Sequence, residues 1–198
     1  MEHLMKRTVT WIFLLSLALA PITQAIAALE IFTIDPQHSY VLWHINHFGF
    51  SNPSGKWMVH GTLDLDKSQP QNSKVDVTIH VAEMITGIPE LDKHLKTKLF
   101  FDTAKFPAAT FTSDRISMTG KKTAKIYGNL TIRGITKPIV LDATLNKVGP
   151  NPISNKMSVG FSATTQLKRT DFDINTLSPG LGDEVKINIE LEAYKKAS

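Results

Sequence analysis

Two basic side chains occupy positions where they could place chemistry inside a structure built from strands. His47 continues an alternating apolar run that begins at Val41, and Arg169 continues a similar run that begins at Phe161. A charge that faces an apolar interior needs a partner, and arginine suits a phosphate or a quinone oxygen. We therefore expect His47 and Arg169 near the polar end of a cavity, where they contact a ligand headgroup. A structural pair between Arg169 and Asp171 or another carboxylate is the alternative.

The seven histidines do not predict a metal site. His44 and His47 are three residues apart, so on a strand they face opposite sides of the sheet. If the following turn is centred near Asn52, His44 faces His60 on the outer surface, without a third ligand. Because zinc sites take at least three protein ligands, we expect no metal.

Sequence signatures of catalysis are also absent. The chain has no cysteine, no Gly-x-Ser-x-Gly motif, no phosphate-binding loop and no His-Glu-x-x-His motif. Asp92 and His94 are two apart in a helical segment and do not face each other. We therefore assign no catalytic residue and no required cofactor.

Alternation with period two predicts the elements that position these side chains. About eight strands follow one another, separated by glycine and proline clusters. One segment, 88–101, instead has leucines at helical spacing and predicts a helix between the third and fourth strands. Eight antiparallel strands with one apolar face can close into a barrel or pack as a sandwich.

A barrel of eight strands encloses space for one small ligand. The inward positions are the candidate ligand contacts, although each of them could equally fill a solid core. They are Val41, Trp43, Ile45, Val59, Phe111, Ile132, Leu141, Phe161 and Leu167.

The first 27 residues have the order of a secretion signal. Lys6 and Arg7 precede a short apolar run, 9–20, and Pro21 ends that run. The small residues at 25–27 predict cleavage after Ala27. The run is shorter than the ~20 residues of a membrane-spanning helix, which disfavours an anchor. We expect export to the periplasm and a single domain, 28–198.

The net charge of +4 is too small to indicate nucleic acid binding, because no basic stripe interleaved with aromatic residues accompanies it. With no cysteine in the sequence, the domain depends on burial rather than on disulfide bonds.

Four sequence blocks, in their order and spacing, resemble the YceI-like family over nearly the whole domain. They are Asp35-Pro36-Gln37-His38-Ser39-Tyr40-Val41, the segment from Leu91 to Ser113, the segment from Gly128 to Pro138, and Gly160-Phe161-Ser162-Ala163 with Arg169-Thr170-Asp171-Phe172. Two positions depart from the family pattern. Leu99 stands where an acid is usual, and Asp173 stands where glycine is usual.

This resemblance implies an extended, lipocalin-like antiparallel β-barrel with a helix near one end. It also implies a periplasmic protein, often a homodimer, that holds a polyisoprenoid such as a ubiquinone-type molecule or an isoprenyl phosphate. Carriage of such a lipid, with transient membrane contact, is the first hypothesis. An isomerase-type enzyme on the same scaffold and an adhesin or interaction protein are the alternatives.

Overall fold

Strands dominate residues 29–195, the part of the chain that the computed structural model describes. One helix, α1, spans Pro89–Leu95. Within these residues nine strands follow one another, joined by turns and by two longer segments, 80–108 and 169–180. They are β1 (Glu30–Ile34), β2 (Tyr40–His47), β3 (Ser54–Leu65), β4 (Lys74–Ile79), β5 (Ala109–Met118), β6 (Thr123–Ile132), β7 (Ile135–Pro150), β8 (Met157–Lys168) and β9 (Leu181–Lys195).

The nine strands occupy eight positions of a closed antiparallel barrel. β1 and β2 share one position, because both of them pair with β3 on one side and with β9 on the other. The remaining strands pair in chain order, and β4 closes the sheet against β3. The predicted eight-stranded barrel with one helix is therefore confirmed, and the sandwich alternative is wrong.

A polar bend, buried only at Ser39, divides β1 from β2. The Asp35 carboxylate accepts hydrogen bonds from the Gln37 amide at 2.9 Å and the His38 ring at 2.8 Å. Ser39 is fully buried, and its hydroxyl exchanges hydrogen bonds with the backbone of Glu192 on β9. These contacts explain why the polar block at 35–39 interrupts an otherwise continuous strand pattern.

Helix α1 is shorter than the predicted 88–101. It ends at Leu95, and the Phe101 amide then bonds back to the Leu95 carbonyl at 3.0 Å, which turns the chain. This turn carries Phe100 into the core and Phe101 into the barrel, whereas Leu99 is exposed. The leucine spacing beyond Leu95 therefore reflects a folded loop rather than more helix.

The predicted signal at 1–27 and its cleavage after Ala27 lie outside the described residues. Between residues 29 and 195, no helix combines the length and the apolar character needed to cross a membrane.

Candidate functional site

The barrel encloses a cavity of about 440 Å³, within the size range of small-molecule sites. Its wall is almost entirely apolar, and seven of the nine side chains predicted to face it do so: Val41, Val59, Phe111, Ile132, Leu141, Phe161 and Leu167. The other two, Trp43 and Ile45, pack in or against the core beside the cavity instead. Period-two alternation thus placed most of the named candidates correctly on the wall.

A row of small side chains explains why this barrel is not filled. Ala124 of β6 lies opposite Ala143 of β7, and Ala143 lies opposite Ala163 of β8. All three line the cavity. Because residues opposite each other in an antiparallel sheet share a face, the row removes bulk from three adjacent strands at once. Larger side chains at these positions would fill the space, as they do in other small barrels.

One end of the barrel, here called the closed end, is covered by two segments, 81–108 and 169–180. Phe101 packs edge-on against Trp57, with ring centroids 5.3 Å apart. Phe100, Phe172 and Ile174 are each at most 5% exposed in the same covering layer. Hydrogen bonds join the covering segments, since the Thr176 hydroxyl donates to the Leu99 carbonyl.

The opposite end, here called the open end, is bordered by the loops 66–73 and 119–122. Met118 and Val148 both line the cavity and are about 40% exposed, so solvent reaches the apolar wall here. The charged side chains of the cavity lining also lie at this end. They are Asp66, Lys67, Lys121 and Lys122.

Arg169 was expected beside a ligand headgroup, and the structure corrects this prediction. Its guanidinium is buried and donates to the carbonyls of Ile174, Thr176, Leu181 and Gly182 at 2.6–3.0 Å. Burial lowers the pKa of Arg169, while the nearby Asp183 carboxylate opposes that shift. Arg169 therefore has a structural role and holds the 169–182 segment together. Its hydrogen-bond partners are backbone carbonyls, not Asp171 or another carboxylate as the alternative proposed.

His47 does not face the cavity either. A β-bulge between Ile45 and His47 shifts the pairing with β9, so the alternation that predicted an inward side chain is broken there. His47 is exposed and packs edge-on against Phe48 at 4.7 Å. Both headgroup candidates therefore lie at the closed end and outside the cavity lining.

The predicted pairing of His44 with His60 is also wrong. His44 pairs with Ser54, because the β2–β3 turn is centred nearer Gly49 than Asn52. His60 instead contacts His80 on the outer surface, with ring centroids 4.4 Å apart. Among residues 29–195, no three histidine or acidic side chains gather as a metal ion would require.

Sequence reasoning missed both the alanine row and the open-end lysines. The alanines were visible only as inward positions of their strands, and their strand register, which brings them together, is not readable from one sequence. Lys121 and Lys122 belong to a turn, where lysine is ordinary, and nothing local distinguishes them.

A model of the "YceI-like domain" family matches residues 32–193 of this chain. The chain belongs to the YceI-like family. A relative named UPF0312 protein, from Pseudomonas savastanoi pv. phaseolicola, is 37% identical over 183 residues, which cover 92% of this chain and 94% of the relative.

Two solved structures extend the comparison. The YCEI protein of Campylobacter jejuni is 34% identical with a TM-score of 0.69, over 77% of this chain and 90% of that one. A polyisoprenoid binding domain from Saccharophagus degradans has a TM-score of 0.65 at 13% identity, over 85% of this chain and 99% of that one. At that identity the second likeness shows the YceI-like fold alone.

The YceI-like sequence blocks map mainly onto the closed end. Arg133 and Gly134, in the turn between β6 and β7, have left-handed backbone angles, with φ values of 52° and 74°. The Arg133 guanidinium donates to the Phe100 carbonyl, which ties this turn to the covering segment. In the block that contains Arg169, the guanidinium likewise fixes the segment 169–182 by hydrogen bonds to its carbonyls. The open-end loops 66–73 and 119–122 lie outside all four blocks.

Proposed function

We propose that this protein binds one long isoprenoid lipid in its barrel and carries it through the periplasm without chemically changing it. The observation that carries the proposal is the apolar cavity opened by the alanine row. An isoprenoid tail has no polar atoms, so a wall of aliphatic and aromatic side chains matches it. Burial stabilises such a complex by roughly 25 cal/mol per Å² of apolar surface.

The fold of the Saccharophagus degradans domain, whose name states polyisoprenoid binding, supports the same ligand class. The predicted secretion signal supports the periplasmic location. A carrier there meets a membrane transiently to load and release its lipid, and members of the family that the sequence resembles are often homodimers.

Carriage is favoured over catalysis by the position of the polar groups. Within the described part of the lining, the ionisable side chains lie at the open end, and Thr165 bonds its hydroxyl to the Val140 carbonyl at 2.8 Å. General acid–base chemistry on a buried ligand needs a titratable group within hydrogen-bonding reach. The wall deep in the cavity provides contact surface for the tail. Among the described residues it provides no titratable side chain.

Two indole donors inside the closed half are the remaining polar atoms near the ligand path. The Nε1 atoms of Trp43 and Trp57 are buried and have no hydrogen-bond partner among the described residues. Trp57 lines the cavity beside the edge of Phe101. A buried N–H without an acceptor is costly, so Trp57 is also tested as an alternative headgroup contact.

Native mass spectrometry of protein purified without added lipid tests the proposal. We expect one long-chain species of fixed mass per chain, and the same spectrum reports whether the protein is a dimer. A protein that is free of lipid, and that also takes up none when isoprenoids are supplied, would refute the proposal.

A matched pair of variants connects the binding to the cavity. Ala143→Leu adds bulk to the wall, whereas Thr144→Leu adds the same side chain to the outer face of β7. We expect at least a tenfold loss of isoprenoid affinity for Ala143→Leu and none for Thr144→Leu. The loss follows because three added carbons displace ligand carbons that are each worth about 0.8 kcal/mol. Equal affinity in the two variants would place the lipid elsewhere.

A further inference from the structure

The lysines at the open end lie where an amphiphile in the barrel would leave its polar end. The closed end is sealed by the buried layer around Phe100 and Phe172. A lipid that enters from solvent therefore passes Met118 and Val148 tail first. Its headgroup then remains beside the loops 66–73 and 119–122.

The polar groups of the loop 66–73 are already engaged. The Asp66 carboxylate accepts hydrogen bonds from the Ser68 hydroxyl at 2.7 Å and the Gln69 amide at 2.8 Å, and these lower the pKa of Asp66. The Ser73 hydroxyl accepts from the Asp66 amide at 2.9 Å. These hydrogen bonds within the loop favour the ionised form of Asp66 and occupy its carboxylate.

Lys67 is partly neutralised, whereas its two neighbours across the opening are not. The Lys67 ammonium lies 2.9 Å from the Glu30 carboxylate. Within residues 29–195, neither Lys121 nor Lys122 forms an ion pair or a side-chain hydrogen bond. The Leu145 amide donates to the Lys122 carbonyl at 2.7 Å, which fixes this turn beside the cavity wall.

We infer that the lipid carried by this protein has an anionic phosphate at its polar end, which Lys121 and Lys122 contact at the open end of the barrel. This inference rests on the proposed function and selects one ligand chemistry within it. A neutral quinone ring needs a hydrogen-bond donor but no charge. Two free ammonium groups match a phosphate, which carries more than one negative charge and several acceptor oxygens.

Isothermal titration calorimetry with farnesyl monophosphate and farnesol tests the inference, because the two share one tail and differ only in the headgroup. At low ionic strength we expect the phosphate to bind about tenfold more tightly than the alcohol, given two partly exposed charge contacts. The double variant Lys121→Gln, Lys122→Gln removes this preference and leaves farnesol affinity unchanged. The preference also weakens at ~0.15 M salt, where screening acts over about 8 Å.

Lys168→Gln with Lys186→Gln is the matched control, since both lysines are exposed on the outer surface and neither lines the cavity. It keeps the phosphate preference. Trp57→Phe keeps it as well, because the indole lies toward the closed end. Loss of the preference in Trp57→Phe, with retention in the open-end double variant, would overturn the inference by placing the headgroup at the closed end.

The remaining outcomes separate the inference from its alternatives. Equal binding of farnesol and its phosphate overturns the inference and leaves the proposed function intact, whereas binding of neither ligand overturns both. Inorganic phosphate that binds as tightly as farnesyl monophosphate overturns it by showing an anion site independent of the lipid. Weakened binding of the double variant to phosphatidylglycerol vesicles, with unchanged binding of both soluble ligands, overturns it by assigning the lysines to a membrane surface.

Discussion

The closed end and the open end of this barrel both carry basic groups, buried at the closed end and exposed at the open end, and their surroundings differ. At the closed end four of the five N–H donors of the Arg169 guanidinium are bonded to backbone carbonyls, and the side chain is buried outside the cavity lining. At the open end the ammonium groups of Lys121 and Lys122 lack such acceptors in the described structure. Arg169, which continues an apolar strand pattern, therefore stabilises the fold. Lys121 and Lys122, which lie in an ordinary turn, are the candidates for binding.

The largest effect is expected for Arg169→Leu. Removal of the guanidinium leaves four carbonyls of the 169–182 segment without their donors, and breaking a buried charged network costs about 3–5 kcal/mol of stability. Urea unfolding measures the loss. Arg115→Leu is the control, because Arg115 stacks on the outer face of Tyr127 at 3.7 Å and is expected to cost less than 1 kcal/mol.

Two outcomes would blur the contrast between the ends. A loss below 1 kcal/mol in Arg169→Leu would mean that water replaces the guanidinium and that the closed end is less tightly packed than described. If Arg169→Leu cannot be purified folded, Arg169→Lys serves instead, since it keeps the charge but has three donors in place of five. An intermediate loss is then expected.

A smaller effect is expected from one added methyl group at each end. The Cβ of an alanine at position 55 would lie 2.2 Å from Trp43 Cζ2, whereas at position 149 the nearest atom is Lys147 Cε at 4.0 Å. Overpacking typically costs about 1–3 kcal/mol, so Gly55→Ala should lower the urea midpoint. Gly149→Ala should leave it unchanged or raise it slightly. The same loss in both would show that the closed end is no more rigid than the open end.

Acid should loosen the open end first. Hydrogen bonding by Lys67 lowers the pKa of Glu30, and hydrogen bonding by the Ser68 hydroxyl lowers the pKa of Asp66. A carboxyl whose pKa is lower in the folded state stabilises the fold above its unfolded pKa of about 4, and this contribution is lost as the pH falls through the folded value. Arg169 keeps its charge throughout this range.

Hydrogen exchange of the segments 66–73 and 169–180, corrected for intrinsic rates, measures this difference. We expect protection of 66–73 to fall below about pH 4 while 169–180 stays protected. Asp66→Asn is the control, because an amide does not titrate and the acid step in its loop should shrink. Simultaneous loss of protection in both segments would indicate global acid unfolding instead.

The smallest effect concerns Asp173, which stands where the family usually has glycine. Its φ of 58° lies in the left-handed region, which costs roughly 1–2 kcal/mol for most residues but less for aspartate. Asp173→Gly should therefore raise thermal stability by less than about 1 kcal/mol, and Asp173→Ala should lower it. A loss in the glycine variant would show that the Asn175 to Asp173 hydrogen bond of 2.8 Å outweighs the backbone strain.

The fold was largely predictable because its alternation is long and regular. Val41, Phe111 and Leu141 reach the cavity wall as their spacing requires. Predictions failed where alternation is interrupted, since the β-bulge before His47 cannot be read from spacing. The prediction for Arg169 was wrong for another reason. Arg169 follows the last residue of β8 and lies in a short helical turn, 169–172, so the alternation of β8 does not determine where its side chain points.

The binding site was harder to predict because it depends on register and on loops. The sequence blocks that carry the family resemblance mostly build the bend at Asp35 and the closed end. They report how the barrel is shaped and sealed, rather than what lies at its opening. Lys121 and Lys122 became candidates only when the barrel placed their turn beside the exposed wall residue Met118.

The alanine row also makes the cavity adjustable in discrete steps. Ala124, Ala143 and Ala163 lie side by side across three strands, so a valine or leucine at any one of them takes up space at the same level of the cavity without altering the open end. Alanine, valine and leucine placed in turn at one of these positions should therefore narrow the cavity in graded steps.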